Sequence, residues 1–126
     1  MTYKLTILGR LPTLNEYSNA ERSNRFKAAK MKAEAEQIIK WYILKDLKGV
    51  QVKQKVFISY KWFMENKKLD PDNISFGKKM ILDALVRSGV LEGDGWKQVA
   101  GFEDNFEVDK VNPRVEVEIR EMEVMR

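Results

Sequence analysis

The chain has 126 residues, enough to bury a core without covalent staples, and carries 23 Lys and Arg against 19 Asp and Glu, a net charge of +4. It contains no cysteine and no histidine, which excludes disulfides, thiol nucleophiles, zinc ribbons, serine–histidine triads and imidazole acid–base chemistry. Any catalysis must therefore use carboxylates, lysines, tyrosines or a hard cation held by oxygen. The net charge is compatible with a polyanionic partner without demanding one. The Met1–Leu14 stretch lacks a signal-peptide core and no apolar run approaches the ~18 residues of a membrane span, so a cytoplasmic protein with no membrane partner is expected.

In chain order, Tyr3-Lys4-Leu5-Thr6-Ile7-Leu8 predicts a strand ending near Gly9. A proline loop, Arg10 to Glu16, follows. Ser18-Asn19-Ala20-Glu21 has capping-box spacing and predicts the start of a long helix with an Ala28, Met31, Ala35, Ile38, Tyr42 stripe, closed at Gly49. Gln51 to Phe63 reads as a strand with Val52, Val56, Ile58, Tyr60 and Trp62 on one parity. Phe57 and Phe63 on the other parity imply cover on both faces over part of its length. Asp72 or Asn73 is an N-cap for a helix to about Ser88, with Gly89 as its stop. A short strand is expected around Lys97–Phe102. Arg114-Val115-Glu116-Val117-Glu118-Ile119 alternates strictly as a strand with one wet face. Met122 and Val124 then change parity, marking a bulge or the sheet's end. The order β-α-β-α-β-β predicts one α+β (α/β mixed) domain over residues 1–126, a small mixed sheet with two main helices.

Candidate chemistry lies in Lys67-Lys68-Leu69-Asp70-Pro71-Asp72-Asn73. Pro71 biases the preceding residue toward extended backbone, and in an extended stretch Asp70 and Asp72 share a side. Two or three such carboxylates suit Mg²⁺, which keeps several waters. The plainer reading is a turn aspartate and a helix cap. Asp94, bracketed by Gly93 and Gly95, converges on the pair if the chain doubles back after the helix; its plainer reading is a glycine-rich turn. Lys79, seven residues after Asp72, falls on the same helical face and can reach a phosphate or leaving oxygen, or simply pair with Asp83. Lys78 points elsewhere around the helix.

For binding, Arg22, Arg25, Lys27, Lys30 and Lys32 occur with no intervening acid. Arg22, Arg25, Lys27 and Lys30, with Lys67 and Lys68, can track DNA backbones, or the first helix simply presents a solvated basic face. Trp41 and Trp62 fit a core or dimer interface, whereas Trp96 fits an exposed stacking position. Phe76 fits a wedge or dimer contact.

Asp70-Pro71-Asp72-Asn73, Lys79 four residues before Asp83-Ala84-Leu85, then Gly89 and Asp94, resemble the RusA-like endodeoxyribonucleases, Holliday junction resolvases common in phages and prophages. Pro12-Thr13-Leu14-Asn15 and the basic helix after it are similar to that family's opening segment. The resemblance implies a homodimer that binds four-way DNA junctions and cuts two strands symmetrically in recombination and repair, using Mg²⁺ or Mn²⁺. It implies metal ligation by Asp70, Asp72 and Asp94, catalysis by these with Lys79, and DNA contacts from Asn15, Asn73 and Lys78 beside the basic residues and Trp96. Two alternatives stand beside it. One is a non-catalytic junction-binding module, and the other a self-assembling interaction domain whose charge serves only solubility.

Overall fold

The computed structural model describes residues 1–122. In chain order it contains β1 (Thr2–Leu8), α1 (Leu14–Ser23), α2 (Arg25–Asp46), β2 (Val56–Met64), α3 (Pro71–Ile74), α4 (Gly77–Arg87), β3 (Val99–Val108) and β4 (Arg114–Glu121). The strands form one mixed sheet, β1-β4-β2-β3, in which β4 runs antiparallel to β1 and β2 while β3 runs parallel to β2. The expected α+β class holds, with each expected helix divided in two. The parallel pairing needs a crossover, and α3 with α4 supply it.

The first helix begins earlier than Ser18. Thr13 is the cap: its hydroxyl accepts the Glu16 N–H, and the Glu16 carboxylate accepts the Thr13 N–H at 3.0 Å. Glu16 is also gripped by Arg10 at 2.8 Å. Thr13-Leu14-Asn15-Glu16 carries the same spacing as Ser18 to Glu21, so sequence alone offered two boxes, and the arginine favours the upstream one. The helix then breaks at Asn24, which has extended backbone and accepts the Phe26 N–H at 2.8 Å to cap α2.

On α2 the buried residues are Ala28, Ala35, Ile39 and Ile43, while Ile38 is exposed. The expected stripe followed a 3.5-residue repeat, which lags a real helix by ~20° per heptad, so Ile38 rotates off the core and Tyr42 packs only at its margin, their places taken by Ile39 and Ile43.

Val56, Ile58, Tyr60 and Trp62 are buried as expected. The strand starts at Val56 because Val52 instead bridges Leu91. Its opposite face is covered by guanidinium groups: Arg114 lies 3.8 Å over Phe63 and Arg120 5.3 Å over Phe57. β3 is longer than the short strand expected, since it pairs with β2 from Val99 to Val108. Phe102, Phe106 and Val108 alternate with polar residues, but Asp104 interrupts the apolar parity. β4 ends at Glu121, and Val124 lies outside the described residues.

One core joins Leu5 and Ile7 of β1, Ile39 and Ile43 of α2, Met80, Ile81 and Leu85 of α4, and the inward faces of β2 and β4. At ~25 cal/mol per Å² of apolar surface removed from water, this burial is the main force seating α2 and α4 on the sheet.

Candidate active site

Asp70 is the N-cap of α3, with extended backbone and Pro71 at the first helical position. Its carbonyl, not its carboxylate, accepts the Asn73 and Ile74 N–H groups at 3.1 Å each. Asp72 sits within the first turn, so the expected cap shifts two residues upstream. Both aspartates are exposed, and among the described residues neither carboxylate is engaged by a protein hydrogen bond or a cation. With no protein cation on either carboxylate among the described residues, both are available to a positive charge from outside.

Asn73 is buried, and its Oδ1 accepts the Asn15 N–H at 2.9 Å. This bond ties the first turn of α1 to the acidic segment. Asn73, expected on the DNA, is thus placed inside the protein, while Asn15 is exposed beside it.

The helix expected to run unbroken from Asp72 is tightened at Ser75–Phe76. There the Lys78 N–H bonds to the Ser75 carbonyl (3.0 Å) and the Lys79 N–H to the Phe76 carbonyl (3.2 Å), three-residue steps instead of four. The even-pitch count that put Lys79 in phase with Asp72 therefore does not hold across this join. Gly77 permits the close packing that follows, since a Cβ there would lie 3.1 Å from Leu11 Cδ1 and 3.3 Å from Trp62 Cη2. Phe76, expected as a wedge, is half-buried against Tyr17 with ring centroids 5.2 Å apart.

The two adjacent lysines part company here. Lys79 is exposed, with its Nζ 3.3 Å from Asp83 and 3.8 Å from Asp94. Lys78, expected on the DNA, turns inward to an ion pair with Asp104, its Nζ 4.0 Å over the Phe102 ring. Asp104 also accepts the Trp62 indole N–H at 2.8 Å. The Tyr60 hydroxyl close by is buried without a hydrogen-bond partner, and burial, reinforced by Asp104, pushes its pKa well above the usual phenol range. Asp104 had no motif to announce it; its polar interruption of the Phe102–Val108 alternation was the available sign.

Asp94 is exposed, and Lys79 is the cation facing it. Among the described residues no three acidic side chains lie close enough to share one metal ion. The expected meeting of Asp94 with Asp70 and Asp72 is therefore not formed; Asp94 faces the lysine instead. Neither flanking glycine uses the left-handed region. Gly93 is small because the Gln98 side chain packs on it, at 3.2 Å from where a Cβ would stand.

Trp96 is 94% exposed two residues after Asp94. Lys67 and Lys68 are exposed just before Asp70, as are Arg22, Arg25, Lys27 and Lys30 around the α1–α2 break. Lys30 is 3.8 Å from Glu34 in a solvent-exposed pair, of the kind worth little in stability. Trp62 is in the core and Trp41 is exposed on α2. No described helix is long and apolar enough to cross a membrane.

No curated protein matches the chain. The family described as Endodeoxyribonuclease RusA matches residues 11–120, everything from the proline loop through most of β4. With the acid pair, the lysine and the loop aspartate all inside that match, the chain belongs to the RusA endodeoxyribonuclease family.

Proposed function

We propose that this nuclease is a divalent-metal-dependent resolvase of four-way DNA junctions, acting in DNA recombination and repair as a homodimer that makes paired symmetric cuts. The observation that carries the reading is the exposed acid pair Asp70 and Asp72, unpartnered among the described residues. The donor set fits a hard cation: every available ligand is a carboxylate or carbonyl oxygen, and no histidine or cysteine exists to favour a softer metal. Asp70 and Asp72 would hold Mg²⁺ or Mn²⁺, with waters completing the shell, while Asp94 holds Lys79 at 3.8 Å. Such a cation supplies charge neutralisation and water activation for phosphodiester hydrolysis.

Lys79 neutralises charge building on the phosphate oxygens. Its exposure leaves it free to exchange Asp83 and Asp94 for a phosphate, whereas Lys78 is committed to Asp104. Asn73 is a positioning residue that fixes the acidic turn to α1. Lys67, Lys68, Arg22, Arg25, Lys27 and Lys30 contact backbone phosphates, giving salt-dependent affinity with little sequence information. Trp96 stacks on a base near the branch point. Ile38, Trp41 and Leu44, all exposed at three-residue spacing on α2, support the pairing of two copies.

The test incubates protein with a labelled four-way junction and a linear duplex in Mg²⁺, Mn²⁺ or EDTA, alongside Asp72→Asn. Paired symmetric nicks that disappear in EDTA and in the variant are expected. Junctions that stay intact in every lane at concentrations where they are bound would overturn this reading in favour of a non-catalytic junction binder.

A further inference from the structure

A cavity of about 280 Å³ lies between the ends of β2 and β3 and the start of α3. Its apolar walls are Met64, Leu69, Pro71, Ile74, Phe106 and Val108, and its polar margin includes Asn66, Lys67 and Asp70. It therefore shares Asp70 with the acid pair, so whatever enters it lies next to the phosphate being cut. The volume is just below the ~300 Å³ lower end of ligand pockets. Apolar walls exclude a phosphate or hydrated sugar, and the size suits one planar ring.

We propose that this cavity seats one unstacked nucleobase flanking the scissile phosphate and so sets the sequence preference of cutting. The proposal rests on the nuclease reading above. Extruding a base costs a few kcal/mol in an intact duplex and least where stacking is already interrupted, as it is at a branch point. Lys67 at the margin is placed for the phosphate of the same nucleotide. Asn66 uses its Oδ1 to accept the Lys68 N–H at 3.0 Å, which leaves its amide NH₂ as the donor on that wall. A donor there favours bases presenting a carbonyl or ring-nitrogen acceptor. Glu107 also borders the cavity, with its carboxylate 3.5 Å from the Lys61 ammonium.

The experiment uses four-way junctions identical except for the nucleotides on either side of the cut, and the same junctions carrying 2-aminopurine there. Wild-type cutting rates should spread about tenfold across the panel, the scale of one base contact. In EDTA, binding should raise 2-aminopurine emission at one flanking position. Val108→Phe, at a half-exposed site on the edge strand, fills the cavity. It should collapse the spread to the rate of the poorest wild-type site and abolish the emission rise. Asn66→Ala, which removes the donor but no wall, should narrow the spread while keeping the emission, and decides the matter if Val108→Phe does not fold. An unchanged spread in a folded variant, or no emission rise at any flanking position with the wild type, overturns the pocket. A wild type that raises emission but cuts nothing overturns the nuclease reading and leaves the pocket standing.

Discussion

The β3–β4 turn and the start of α3 treat charge in opposite ways. At the turn, the Arg114 guanidinium lies 2.8 Å from both Asp109 and Glu116 and over the Phe63 ring, and Asp109 also accepts the Val111 and Asn112 N–H groups. Arg114, Asp109 and Glu116 neutralise one another there: the bonds from Glu116 and then Asp109 raise the Arg114 pKa, and the bond from Arg114 lowers that of Asp109. At α3, Asp70 and Asp72 face solvent with no such neighbour among the described residues. The contrast teaches where this fold uses charge for its own structure and where it leaves charge available to a ligand. Lys78 and Lys79 repeat it within two residues, the first paired under Phe102 and Trp62, the second exposed.

Removing charge from the available set should cost activity and not stability. Asp72→Asn should lower junction cutting by about a thousandfold or more, the several kcal/mol of a metal-assisted step. Its melting temperature should stay near wild type, because the side chain makes no bond to the described residues; thermal unfolding beside single-turnover cutting checks both. A large loss of stability would mean that the carboxylate has a structural partner. Lys79→Ala should slow cutting about a hundredfold, the scale of one lost charge-stabilising donor, with junction affinity in a gel-shift assay nearly kept.

The committed set should behave in reverse. Asp104→Ala leaves Lys78 half-buried and unpaired and the Trp62 N–H unsatisfied, which should cost about 2–3 kcal/mol in urea unfolding. Cutting by the folded fraction should be far less affected than in Lys79→Ala. If Lys78→Met proves as inactive as Lys79→Ala, the division between the two lysines is wrong.

The smallest expected effect is on pH. The Arg114 bond holds the Asp109 carboxyl below its ordinary 3.8, and the Arg10 bond holds Glu16 below 4.5. Folding therefore releases protons from these groups, and their stabilisation is fully present above about pH 5. It fades as pH falls through the depressed values. Asp109→Asn and Glu16→Gln should flatten the acid limb of a stability–pH curve.

The strict alternation of Val115, Val117 and Ile119 and the even-position run from Val56 to Trp62 mark strands by themselves, because the two-residue period of a pleated backbone is a local property. The acid pair stands out as a candidate for a similar reason: its spacing is short and its residue types limit the chemistry. The absence of histidine and cysteine was decisive in the same way. Tertiary structure decided the rest. It chose Thr13 over Ser18 as the cap because Arg10 reaches Glu16, and it moved the α2 stripe to Ile39 and Ile43 as the helix turned against the sheet. It also set Lys78 apart from Lys79 by bringing Asp104 from a strand 26 residues away. Pairings that far apart in the chain leave no periodic trace, since their partners meet only when β3 docks alongside β2.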